Sequence, residues 1–64
     1  MALTIAEKLL LDGLKLFRMR KGNIMLCMLL MDTEEKRWDL ITYLAGHLEA
    51  TEEEILQQAE SIAM

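Results

Sequence analysis

The sequence has no proline, three glycines, one cysteine, one histidine and one serine among its 64 residues. The absence of proline and scarcity of glycine argue against a loop-rich or disordered chain, and 53% hydrophobic residues supply the apolar surface for a core. Cys27 has no partner within the chain, which excludes an internal disulfide and suits a reducing compartment such as the cytosol. One thiol and one imidazole fall short of the several matched ligands that a metal site requires, so neither metal nor cofactor is expected. There is also no glycine-rich phosphate loop.

A pairing of Cys27 as nucleophile with His47 as base is one remaining catalytic arrangement. Cys27 lies between Leu26 and Met28, where loss of hydration disfavours the reactive thiolate, and the residue reads as a small buried hydrophobe. His47 reads as a favourable charge near a helix C-terminus. The expectation is a protein that is not an enzyme.

No long hydrophobic run is present. The longest, IMLCMLLM at 24–31, is far short of the roughly 20 apolar residues that span a bilayer. The opening MALTIAEKLLLDGLKLF lacks a basic start, and Glu7, Lys8 and Asp12 interrupt it, so no secretory signal is expected. These features predict one cytoplasmic domain over residues 1–64.

Helix-start signals punctuate the chain. Thr4 with Glu7 and Thr51 with Glu54 match the capping box, in which the hydroxyl accepts a free backbone N–H and the glutamate reaches back. Asp32 with Glu35 repeats the spacing, with Thr33 as an alternative cap. Gly22 and Asn23 suit a break and a cap before Ile24, although the turn can also begin nearer Arg20. No alternating strand pattern of useful length occurs. The fold predicted is all-α, a compact bundle of four short helices at about 5–19, 23–31, 33–46 and 52–62.

In the first helix, Ile5, Ala6, Leu9, Leu10, Leu14, Leu16 and Phe17 form one broad apolar face opposite Lys8, Asp12 and Lys15. Gly13 near the middle of that face weakens the helix by roughly 1 kcal/mol relative to alanine, a loss that a closely crossing helix would offset. The third helix aligns Trp38, Ile41, Leu44 and Ala45, which predicts a largely buried Trp38, and Gly46 is its candidate stop. The fourth aligns Ile55, Leu56, Ala59, Ile62 and Ala63 on a single buried face.

The stretch MLLMDTEEKRWDLITYL followed by ATEEEIL resembles short uncharacterised helical proteins carried on bacterial mobile elements. The resemblance implies no activity and carries no site residues with it.

The second helix has no polar side to orient it. A helix apolar all round must be enclosed all round, and three short neighbours leave part of it uncovered. Met25, Met28 and Met31, together with Leu29, are therefore expected to contribute to an interface, since methionine is flexible and polarisable enough to fit a partner. A 64-residue chain has a marginal core, and a homodimer is the simplest closed association.

Charge is divided unevenly. Residues 1–31 carry five basic against two acidic residues, net +3; residues 32–64 carry nine acidic against Lys36 and Arg37, net −7. The basic group Lys15, Arg18, Arg20 and Lys21 could touch phosphates or an acidic partner, but it also complements a helix C-terminus. A helix-turn-helix formed by the third and fourth helices would present Glu52, Glu53 and Glu54 to the phosphates, so nucleic-acid binding by that route is not expected. Asp32, Glu34, Glu35 and the 52–54 glutamates all lie at helix starts, where the macrodipole accounts for acids without invoking nucleic-acid mimicry. Attachment of the first helix to a membrane surface conflicts with Asp12 and with the need of a core for its apolar face. The sequence thus predicts a non-catalytic protein-interaction module, an adaptor or inhibitor using the helix at 24–31. The alternative is a small DNA-associated regulator using residues 15–21.

Overall fold

The computed structural model describes residues 2–64 and contains four helices: α1 (Ile5–Leu16), α2 (Lys21–Leu30), α3 (Glu34–Gly46) and α4 (Glu52–Ala63). The all-α class and the four helices agree with the sequence reading, and no strand occurs among the described residues. The Cα radius of gyration is 10.4 Å. A fully collapsed chain of this length scales to about 10.7 Å, so the short helices close on one core.

Both capping boxes form. Thr4 Oγ1 accepts from the Glu7 N–H at 3.1 Å while Glu7 accepts from the Thr4 N–H at 2.9 Å. Thr51 and Glu54 repeat the exchange at 3.2 and 2.8 Å. At the start of α3 the cap is Thr33, whose hydroxyl accepts from the Lys36 N–H at 3.2 Å; Asp32 instead takes the Lys36 ammonium at 3.1 Å.

Two boundaries differ from the expectation. α1 ends at Leu16 rather than 19, because Arg18 adopts φ 57°, a left-handed conformation that reverses the chain. The Arg18 N–H bonds the Lys15 carbonyl at 2.9 Å, as in helix-terminating motifs usually built on glycine, and Met19 then turns back into the core. α2 begins at Lys21 rather than 23. Its cap position is Arg20, the alternative start given by the sequence, and Asn23, the first candidate cap, lies inside the helix. The Arg20 N–H donates to Glu52 Oε2 at 2.8 Å, and Asn23 Nδ2 donates to the same oxygen at 2.7 Å. The start of α2 is therefore fixed by the first residue of α4.

The helices pack as a ring in the order α1, α3, α4, α2, with no contact across either diagonal. Glu7 lies 3.8 Å from Arg37, and a Cβ built on Gly13 would meet Leu44 Cδ1 at 3.4 Å, so α1 and α3 run in the same sense. The close crossing expected at Gly13 is this one. Lys36 Nζ reaches the Ala63 carbonyl at 3.2 Å, placing the start of α3 beside the end of α4.

The core comprises Leu10, Leu14, Met19, Ile24, Cys27, Met31, Leu40, Leu44, Ile55 and Ala59. Among the described residues no polar or charged one is buried with them. α3 is rotated relative to the expectation. Leu40 and Leu44 face inward, whereas Trp38 remains 42% exposed and Ala45 is exposed. With Leu40 and Leu44 turned inward, the helical repeat carries Trp38 round to the outer side of α3, while Arg37 reaches Glu7 of α1 and Glu34 of its own helix at 3.8 and 3.1 Å. Gly46 is the last helical residue, but it takes no left-handed turn. The His47 ring satisfies the helix end instead, with Nδ1–H donating to the Tyr43 carbonyl at 2.9 Å and the imidazole stacked on the Tyr43 ring at 4.1 Å.

Candidate interaction surfaces

α2 is the helix whose water-facing side is apolar. In the ring it touches only α1 and α4; its buried residues are Ile24 and Cys27, and Met31 just past its end is buried too. One hundred degrees per residue then turns Met25, Leu26 and Leu29 away from the core, and they are 65%, 42% and 75% exposed. Met28 is half-buried against the core at the edge of this stripe. Of the four residues expected to contribute to an interface, Met25 and Leu29 are exposed, Met28 is at the margin, and Met31 is fully buried. The Met31 expectation is corrected accordingly: an eight-residue apolar run contains no polar residue to reveal its rotation. Leu26 takes its place.

The basic group flanks one end of the α2 stripe. Lys15 and Lys21 line a shallow depression of about 360 Å³ with Leu11, Ile24 and Met25. Arg20 is held by Glu52 at 3.5 Å, whereas Lys15, Arg18 and Lys21 form no ion pair among the described residues. Hydrogen bonds from the Asn23 amide and the Arg20 N–H hold the Glu52 carboxyl below the usual carboxylate range. Its local charge is committed to binding α2 within the chain.

A second apolar surface follows α1 and α3. Leu9, Gly13 and Leu16 of α1 face Ile41 and Ala45 of α3 across a groove of about 210 Å³, closed at one end by Leu48. Leu16 and Leu48 are 82% and 75% exposed. Ile5, Leu9, Leu16 and Trp38 were expected on core-facing stripes; the three α1 residues lie outside because α1 is apolar over a wider arc than α2 and α3 cover, and Trp38 because of the rotation of α3. Sequence reasoning gave no signal for this groove, since apolar residues at helical spacing read as core.

The catalytic pairing is not assembled. Cys27 is fully buried, and desolvation, with a smaller contribution from the Glu52 charge, pushes its thiol up to about 11; His47 lies exposed on Tyr43. No group of three or more histidine, cysteine, aspartate or glutamate side chains among the described residues is arranged to hold a metal ion. Among the described residues no helix is long and apolar enough to cross a membrane. The described residues thus form a four-helix bundle with two exposed apolar surfaces. No family model, curated protein or solved structure matches the chain.

Proposed function

We propose that the chain is a non-catalytic protein-interaction module, a small adaptor or inhibitor, that docks a partner on the outward face of α2. The observation carrying this reading is the exposed apolar stripe of Met25, Leu26 and Leu29 on a helix with no charged residue after Lys21. Polar residues cover the corresponding sides of α3 and α4: Glu35, Asp39 and Thr42 on one, Glu53, Gln57 and Glu60 on the other. A contiguous apolar patch beside unpaired cations marks a recognition surface, and its complement is an apolar segment flanked by acidic residues.

The test is capture of partners from the native cell by wild type and by a Met25→Glu, Leu29→Glu double variant. Both positions are exposed, so circular dichroism should show the fold retained. A partner held by wild type and lost by the variant supports the reading. A variant that retains every partner, or a wild type that retains none, refutes it.

The lack of acidic partners at Lys15, Arg18 and Lys21 favours the DNA-associated regulator as the second reading. It requires duplex binding that weakens steeply with salt and is lost on charge reversal at those three residues.

A further inference from the structure

The geometry points to the α1–α3 face as the surface on which a second copy of this chain docks, forming a two-fold dimer that leaves both α2 faces free. It is independent of the α2 reading.

Ile5, Leu9, Leu16, Trp38 and Leu48 are between 42% and 82% exposed and run along α1, along α3 and into the connection after α3. They amount to about 400 Å² of uncovered side chain, taking roughly 100 Å² for an aliphatic and 250 Å² for tryptophan. Two copies would bury about 800 Å² of apolar surface, which at the roughly 65% apolar share of homodimer interfaces means about 1,200 Å² in all. That is the lower edge of a stable interface, so dimerisation should depend on concentration.

Symmetry then selects the arrangement. α1 and α3 run in the same sense, with Glu7 level with Arg37 and Gly13 level with Leu44. A two-fold axis parallel to them lays α1 of one copy over α3 of the other, with every residue at its original height. The outer edge of α1 carries Lys8 and Lys15, while that of α3 carries Glu35 and Asp39; all four are exposed. Lys8 therefore meets Glu35 and Asp39 of the second copy. Arg18 and Glu49, which line the same depression at the far end, exchange across the axis. Asp12, the acid on the α1 edge, falls level with Thr42 and meets no like charge. Lys8, Arg18, Asp39 and Glu49 make no ion pair within one chain among the described residues. The opposite choice, an axis across the helices, would set α1 against α1 and like charge against like.

Sedimentation of the full chain from micromolar to millimolar concentration tests the proposal. Wild type should pass from monomer to dimer. Leu16→Glu, at an 82% exposed position that folding does not need, should weaken association at least tenfold with unchanged circular dichroism. Lys8→Glu and Asp39→Lys should each weaken it several-fold, and the two together should restore it. Met25→Glu should leave it unchanged. A wild type monomeric throughout would overturn the proposal, as would Leu16→Glu without effect, failure of the charge exchange to restore binding, or loss of the dimer through Met25→Glu.

Discussion

Gly13→Ala should stabilise the protein, although Gly13 lies where two helices cross. The residue is in the interior of α1, where glycine is less favourable than alanine by roughly 0.8–1.0 kcal/mol. The opposing term is steric. An added Cβ would lie 3.4 Å from Leu44 Cδ1, at ordinary van der Waals contact, and the atom it meets is the end of a side chain. Contact at that distance contributes only about 0.1–0.2 kcal/mol per atom pair, so helix propensity dominates the sum. The net effect is a gain of about 1 kcal/mol, equivalent to a rise of roughly 4–8 °C in Tm for a domain of this size. Gly13→Val supplies the contrast, because its γ-carbons have less room beside Leu44 and its χ1 is restricted in a helix. Urea denaturation followed by circular dichroism measures both, at several protein concentrations to separate stability from association. A loss of stability in Gly13→Ala would refute the reasoning and show that the crossing tolerates no side-chain carbon at this position.

Thr51→Ala should cost about 1 kcal/mol by removing the hydroxyl that caps α4, visible as a lower urea midpoint. Leu40→Ala should cost about 3 kcal/mol and Trp38→Ala clearly less, since Leu40 is fully buried and Trp38 is 42% exposed; equal losses would contradict the rotation of α3. Acid should destabilise the fold. The carboxyls of Glu7, Asp32, Glu52 and Glu54 are held low by hydrogen bonds to Thr4, Lys36, Asn23 with Arg20, and Thr51 respectively. Their folded values lie below their unfolded ones, so their contribution is complete above about pH 4–5 and is lost as pH falls through the folded values. Glu52→Gln should flatten that acid limb in urea midpoints measured from pH 7 to about 3, and an unchanged slope would count against the link between α4 and α2.

Local features made much of this fold legible. Thr4 with Glu7 and Thr51 with Glu54 are complete signals within four residues, and both helices start where those residues say. Gly13 pointed to a helix crossing at its level, and Leu44 of α3 lies there, at a distance that still leaves room for a Cβ. The features that escaped depend on residues distant in sequence or on rotation. The start of α2 was open between Arg20 and Asn23, and the contact that accompanies the Arg20 start comes from Glu52, 32 positions away. Arg18 gives no hint of a left-handed turn, since nothing in its neighbourhood supplies the glycine such a turn prefers. The apolar set Trp38, Ile41, Leu44 and Ala45 left the rotation of α3 open by a step, and it is Leu40 with Leu44 that faces the core while Trp38 is 42% exposed. For the surfaces, the absence of polar residues in 24–31 was enough to expect exposure on α2. It did not fix which residues face outward, and so Met31 was misplaced and Leu26 overlooked.

The bond from Arg20 to Glu52 also bears on the order in which the chain folds. Short helices nucleate poorly on their own, and α2, at ten residues, has no side-chain cap of its own. Its first turn is completed only when α4 arrives with its carboxylate, a contact across half the sequence. α1 and α4, each with a local capping box, are the natural nuclei; α2 is then the follower, ordered by docking. Substitutions along α2 should therefore speed unfolding more than they slow folding, the signature of contacts formed after the transition state. Until that docking occurs, the eight apolar residues from Ile24 to Met31 are the part of the chain with least to prevent association with the wrong neighbour.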